Sequence, residues 1–373
     1  MTELLPTIRP GKIQRVLVTG GCGFIGSALV RWFILNTSAR VLNLDKLTYA
    51  GNLASLSECE QSPNYAFRQL DICQAADLAK EIATFEPDCI FHLAAESHVD
   101  RSIDRPADFI QTNLVGTYSV LEGARRYWSH LPEARRERFR VVHVSTDEVY
   151  GTLRLDESRF GEDSRYLPNS PYAATKAGSD HLARAWHRTY GLPVIISNCC
   201  NNYGPYQFPE KVIPTVVLAG MAGALLPIYG TGANVREWLY VDDHVRALLA
   251  IAERGVPGTI YLIGSSVELS NLELVKRICR MLDEFFPNSP HRPHENLIGF
   301  VPDRPGHDLR YALDSSRVRG ELGWAPQESF AGGLRKTVAW YVENRAWWEP
   351  LRKECYDGRR LGLAQLQAGE TAR

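Results

Sequence analysis

The sequence has 373 residues, with 42 Lys+Arg against 43 Asp+Glu and a formal net charge of −1. Its 45% apolar and 23% charged content is that of a globular protein. The balance leaves no electrostatic footprint for a nucleic-acid polymer or an anionic membrane, and no stretch approaches the roughly 20 apolar residues of a bilayer span.

The opening MTELLPTIRPGKIQ carries no apolar h-region, so it does not read as a secretory signal, and a cytoplasmic location is expected. Cysteines 22, 59, 73, 89, 199, 200, 279 and 355 form no CxxC pair, and no histidine cluster has zinc spacing. Free thiols and no metal are expected, with Cys199-Cys200 as two small buried side chains.

In chain order, the β-branched run 15–19 is followed by glycine-rich punctuation and an apolar helical pattern over Phe24–Asn36. Further strands are expected at 41–45, 65–70, 89–93, 139–145 and 193–197, with helices at Ala75–Phe85, 106–128 and 172–190. Continuous apolar strands alternating with helices predict an α/β fold, a Rossmann-type doubly wound parallel sheet. After about residue 200 Pro and Gly become frequent and the elements less regular. This predicts a smaller C-terminal substrate-binding region at the carboxyl edge of the sheet, where such folds take ligands. The expected division is a dinucleotide-binding domain over 14–200, rejoined by parts of 240–265, a substrate domain over 201–350, and a tail over 358–373. Residues 153–169 read as a polar loop between a strand and a helix.

The first strand runs into Gly20-Gly21-Cys22-Gly23-Phe24-Ile25-Gly26, which scans as GxGxxG from Gly21 or GxxGxxG from Gly20. A pyrophosphate needs backbone N–H groups and a helix N-terminus at close range, and side chains there block the approach. Alone, such a pattern also makes an ordinary turn. Here it follows a strand, opens a helix and precedes Asp45, about 20 residues past Gly26. A carboxylate at that point accepts from an adenosine ribose 2′-OH and repels a 2′-phosphate, which predicts NAD rather than NADP. Asp71-Ile72, after the third strand, is placed to bracket an adenine, although a plain strand-end Asp reads almost as well.

Tyr172 and Lys176 form YxxxK, which on a helix sets the ammonium beside the phenol. A neighbouring cation lowers a phenol's pKa and fits Tyr172 to take a proton from a sugar hydroxyl while hydride leaves the same carbon. Thr146-Asp147-Glu148 ends the preceding long strand. Thr146 can hydrogen-bond the oxygen on the oxidised carbon. Two carboxylates supply one proton donor and one acceptor if their surroundings separate their pKa values. Adjacent strand residues face opposite ways, so both serve one substrate only if the backbone leaves the strand at Thr146. Taken alone, the pair reads equally as acidic residues at a helix start.

The stretches TGGCGFIGSALV, LDKLTYAGNL, HLAAESHVDRSI, STDEVYG, SPYAATKAGSDHL, NNYGPYQFPEKVIP, VREWLYVDDH and DRPGHDLRYALD carry a resemblance. The chain resembles the extended short-chain dehydrogenase/reductases, and among them the dTDP-glucose 4,6-dehydratase group. GxxGxxG and YxxxK mark only the superfamily; the TDE triplet, FPEK and RPGHD are far more specific. The resemblance implies that Tyr172 deprotonates the sugar C4 hydroxyl as NAD takes the C4 hydride. Glu148 then removes the C5 proton, Asp147 protonates the departing C6 hydroxyl, and the hydride returns to C6. NAD is regenerated at each turnover and is expected to stay bound.

By the same resemblance, Gly20, Gly23, Phe24, Ile25, Gly26, Asp45, Lys46, Leu47, Thr48, Asp71, Ile72, Leu93, Ala94, Ala95, Glu96, Ser97, Thr112, Tyr172, Lys176 and Asn202 line the cofactor site. Ser97, Thr146, Asn201, Lys211, Val212, Pro227, Ile228, Tyr229, Arg236, Asn271, Asp303, Arg304, Pro305, Gly306 and His307 line the sugar-nucleotide site. Independently, Lys211, Arg236 and Arg304 are cations suited to a diphosphate, although Lys211 and Arg304 also read as surface ion pairs. The role of Glu210 stays open, as does thymine against uracil. A 4-epimerase or a decarboxylase of the same fold, or a non-catalytic NAD-binding regulator, would not need the TDE and YxxxK groups together. The resemblance also implies a homodimer through the two long helical segments, with Tyr118, Trp128 and Trp186 as anchors or, equally, core packing.

Overall fold

The computed structural model describes residues 13–356 and 361. The expected tail, 358–373, lies outside the described residues except for Leu361. Twelve strands are described: β1 Arg15–Thr19, β2 Arg40–Asp45, β3 Tyr65–Gln69, β4 Cys89–His92, β5 Arg140–Thr146, β6 Val194–Cys199, β7 Asn201–Tyr203, β8 Leu226–Tyr229, β9 Val235–Tyr240, β10 Ile260–Ile263, β11 Glu268–Ser270 and β12 Ile298–Val301.

Seven of them form one sheet in the order β10-β6-β5-β4-β1-β2-β3, and every pair in it is parallel. β1, β4, β5 and β6 are buried almost along their whole length, as continuous Val/Ile-rich runs require when helices cover both faces. Helices Phe24–Asn36 and Val241–Arg254 bring Leu29, Phe33, Val245 and Leu248 to one core. Helices Ala75–Phe85, Thr117–Ser129 and Pro171–Tyr190 bring Leu78, Ile82, Val120, Leu121 and Ala183 to another. Strand order reverses between β1 and β4, the switch point where such sheets open a crevice at their carboxyl ends.

The helix expected over 106–128 is continuous but not uniform. It runs as Pro106–Phe109, a π-helical stretch Ile110–Gly116, and Thr117–Ser129. A Cβ at Gly116 would stand 2.5 Å from the Ile72 side chain, so this segment is pressed against the loop after β3. The stretch 153–169 is polar at its surface yet anchored: Leu153 and Phe160 enter the first core, and Phe160 bridges Leu313 and stacks on Tyr150 at 5.1 Å.

The remaining strands make two small sheets, β11-β9-β7 and β12-β8. They pack with helices Val212–Met221, Asn271–Phe285 and Phe330–Glu343 around a separate core that includes Val216, Trp238, Ile278, Leu334 and Val338. The chain returns to the large sheet through the helix Val241–Arg254 and β10.

Candidate active site

The glycine turn resolves the two scans of its sequence. Gly20, Gly23 and Gly26 line a cavity at the carboxyl ends of the large sheet, whereas a Cβ at Gly21 would meet Asn43 Oδ1 at 2.2 Å, outside the cavity lining. Gly20 has φ +74°, and a Cβ there would stand 2.6 Å from Ala94 N; one at Gly26 would stand 2.1 Å from Gly20 O. Gly23 caps the helix Phe24–Asn36 without a side-chain hydrogen bond, leaving first-turn N–H groups for an anion. Asp45 closes β2 and accepts from the N–H groups of Cys22 at 2.9 Å and Leu47 at 2.8 Å. Burial raises its pKa and those two donors oppose the rise.

Of the expected cofactor residues, Phe24, Ile25, Asp45, Lys46, Thr48, Ile72, Leu93 through Ser97, Thr112, Tyr172, Lys176 and Asn202 line this cavity with the three glycines. Leu47 and Asp71 do not. Leu47 takes φ +58° in the turn after β2. Asp71 accepts from Cys73 N–H and stands 3.7 Å from Lys46 Nζ, which donates to Thr112. The residues fit a dinucleotide on three counts: a turn packed so closely that neither Gly20 nor Gly26 admits a Cβ, a carboxylate at the end of β2, and a buried Asn202 Oδ1 with no partner among the described residues.

The residues expected to react converge on the same cavity. β5 ends at Thr146, whose Oγ1 accepts from Glu148 N–H at 3.3 Å, and the chain turns into a 3₁₀ turn over Asp147–Tyr150. The backbone therefore leaves the strand where two adjacent carboxylates need it to, and Thr146, Asp147 and Glu148 all line the cavity. Ser170 caps the helix Pro171–Tyr190 by accepting from Ala173 N–H, with Pro171 in its first turn. Tyr172 and Lys176 follow one turn apart, 8% and 5% exposed.

The carboxylates are unequal. Asp147 is pushed well above the ordinary carboxylate range by burial, then by Glu148 and Glu237. Burial also raises Glu148, but Arg304, Arg236 and Lys211 pull it back. One is held as a proton donor and the other nearer its anion. At Tyr172 the chain's own groups act against the lowering expected from a cationic neighbour. Burial, then Glu148, pushes the phenol well above its ordinary value. Lys176 Nζ donates to Val144 O at 2.8 Å, and burial lowers its own pKa.

Sequence reasoning missed Asp180, one turn beyond Lys176. It accepts from Ser145 Oγ at 2.9 Å, Tyr166 OH at 3.0 Å and Asn198 Nδ2 at 3.0 Å, and pairs with His143 at 3.1 Å. Its helical spacing from Lys176 was the available signal. Gln207, Phe208 and Glu210 also line the cavity.

On the substrate side, Ser97, Thr146, Asn201 and Lys211 line the cavity, with Lys211 Nζ donating to Ser97 O at 2.9 Å. Tyr229, Arg304, Asp303 and His307 form an adjoining cluster. Arg304 stands 3.4 Å from Asp100, Tyr229 OH donates to the same carboxylate at 3.4 Å, and His307 pairs with Asp303 at 2.6 Å. Arg236 stacks 4.3 Å over Tyr311 and donates to Asp308 O. Pro305 and Gly306 belong to the same connection, and Gly306 has φ +65°. Pro227 is exposed on β8, while the alternation of that strand turns Ile228 into the second core. Val212 packs against that core too, and Asn271 heads its helix with its N–H on Asn234 O. Among the described residues no cluster of His, Cys, Asp or Glu could hold a metal ion.

Residues 17–337 match the family described as GDP-mannose 4,6 dehydratase. A probable dTDP-glucose 4,6-dehydratase of Sinorhizobium fredii is 57% identical over 94% of this chain and 99% of its own length. A dTDP-glucose 4,6-dehydratase of Escherichia coli is 55% identical over 94% of this chain and all of its own. A solved dTDP-glucose 4,6-dehydratase of Streptomyces venezuelae, with NAD bound, superposes with a TM-score of 0.82 at 48% identity and covers 90% of this chain and 99% of its own.

Proposed function

The chain belongs to the dTDP-glucose 4,6-dehydratase family, and from that premise we propose that it converts dTDP-glucose to dTDP-4-keto-6-deoxyglucose with NAD, as a hydro-lyase. The observation that carries the reading is that an unequal carboxylate pair, Asp147 and Glu148, shares one cavity with Tyr172, Lys176 and the glycine cradle.

When bound, NAD supplies what the side chains lack, an acceptor for the C4 hydride that gives it back at C6, and a positive ring beside Tyr172. Tyr172 takes the C4 hydroxyl proton, and Thr146 donates to the oxygen that becomes the ketone. The ketone acidifies C5–H, and Glu148 removes that proton. Asp147, held protonated by burial and by Glu148, donates to the C6 oxygen, which leaves as water. Glu148 then returns its proton to C5. Lys176 keeps a positive charge near Tyr172 while anchored on Val144. Lys211, Arg236 and Arg304 bind the diphosphate, and the small sheets around them act as the sugar-nucleotide clamp. A 4-epimerase reverses one oxidation and needs no acid and base at C5 and C6.

The purified protein is expected to turn over dTDP-glucose without added NAD, read from the alkali absorbance of the 4-keto product; no product from NAD-replete protein refutes the reading. Turnover of UDP-glucose in the same assay decides the base. With Glu148→Gln in deuterium oxide, entry of deuterium at C5 is expected to stop while some C4 oxidation survives; unchanged entry means that Glu148 is not the base.

A homodimer and a cytoplasmic location belong to the same proposal. Tyr118 and Tyr190 are exposed and flank Trp186 at 5.8 and 5.5 Å, on the outward faces of two packed helices. Trp128, like Trp186, packs against the core beneath these helices, and it donates to Arg136 O. Sedimentation of Tyr118→Asp tests the contact. Among the described residues no helix is long and apolar enough to cross a membrane.

A further inference from the structure

Glu210 has no task in the reaction above, yet its side chain is only 2% exposed. One of its oxygens accepts from Tyr49 OH at 3.1 Å and the other from Arg101 Nε at 2.9 Å. The Arg101 guanidinium lies over the Tyr49 ring, 3.7 Å from its centroid, and that ring meets Phe208 edge-on at 5.4 Å. Three distant segments are thereby tied together: the connection after β2, the helix Val99–Asp104, and the stretch 207–211. The first supplies Thr48 and Gly51 to the cofactor cavity, and the last supplies Phe208 and Lys211.

We propose that Glu210, Tyr49 and Arg101 form a clasp that retains NAD, so that the cofactor leaves only when the clasp opens. The inference rests on the reading of this cavity as the NAD site. The contacts are mutually dependent: removing one partner strands a buried charge, which is far costlier than the intact arrangement. A cation over an aromatic face adds to the attraction where water is excluded. Burial and the Glu210 charge push the Tyr49 phenol up, so it remains a donor at any ordinary pH. A reaction that restores its cofactor at each turnover needs no exit for it, and nothing in the cycle requires these segments to part.

The test is the exchange of bound NAD against labelled NAD in the holoenzyme, followed by rapid filtration. Glu210→Ala is expected to speed exchange about tenfold or more, with Tyr49→Phe and Glu210→Gln in between, because changes at a contact act mainly on dissociation. Val338→Ala, in the second core and away from the clasp, lowers Tm and is expected to leave exchange unchanged. If Glu210→Ala fails to fold, Tyr49→Phe decides, since it keeps the ring beneath Arg101. The clasp is refuted if the folded variants exchange NAD at the wild-type rate, or if Val338→Ala speeds exchange as much as they do. Wild-type protein that neither carries nor takes up NAD refutes the site reading instead, before any variant is made.

Discussion

Thr146, Asp147, Glu148 and Tyr172 stand at the end of a buried strand or in the first turn of the helix that packs on it. Lys211, Arg236 and Arg304 stand in the second lobe, at a helix start, on a short strand and in a connection. The first set is fixed by regular backbone: a strand end and a capped helix hold each group where the fold puts it. The second set is fixed by polar contacts made by the side chains themselves. Arg304 is held by Asp100, Lys211 by a carbonyl, and Arg236 by a ring and carbonyls. The sheet thus supplies groups whose position sets the chemical step. The second lobe supplies cations that pull the Glu148 carboxyl down and that the proposed function assigns to the substrate's diphosphate.

The largest expected effect breaks that division if it is wrong. Tyr172→Phe removes the proton acceptor and leaves the ring that meets Phe109 edge-on. It is expected to lower kcat by about 10²–10⁴, with KM and bound NAD close to wild type. A rise in KM with kcat preserved would mean that Tyr172 binds rather than reacts.

Arg304→Gln probes the other side with a smaller effect. Arg304 leads the charges that pull Glu148 down against its burial. Without it the Glu148 pKa rises further. The base must be ionised to work, so the acid limb of kcat/KM is expected to move to higher pH. KM is expected to rise about tenfold, the worth of a charged hydrogen bond. An unmoved acid limb with a raised KM would confine Arg304 to binding.

The same division explains what could be read in advance. Strands such as 89–93 and 139–145 are largely apolar, β-branched or aromatic runs, and local sequence decides them. Gly20, Asp45, Thr146 and Tyr172 sit at the ends of those elements, so their places followed. Asp180 escaped notice because its meaning lies in four partners drawn from two strands and a loop, none on its own helix. Ile228, expected at the sugar-nucleotide site, turns its side chain into the second core, and four-residue β8 is too short for its alternation to be read from the sequence. The clasp of Tyr49, Arg101 and Glu210 joins residues 109 and 161 positions apart, a pairing no local pattern contains.

His244 sharpens the comparison from the seam. It lies on the helix Val241–Arg254, which joins the second lobe to the large sheet, and is 0% exposed. Neither ring nitrogen has a partner among the described residues, and burial alone lowers its pKa to about 3. The unfolded chain binds that proton near the ordinary histidine value of about 6.5. Between those two values the unfolded state holds more protons, so stability rises with pH and is lost as pH falls through the window. His244→Leu removes one such group while keeping an apolar filling. It is expected to flatten the loss by at most about 1.4 kcal/mol per pH unit, measured by urea unfolding between pH 7 and 4 (about the upper part of the window). kcat at pH 7 is expected to stay at the wild-type value, because no group assigned to the chemistry touches this ring. A variant as steep as wild type would mean that His244 takes up its proton within the folded protein. The seam would then be wetter, and the two lobes less firmly joined, than the packing implies.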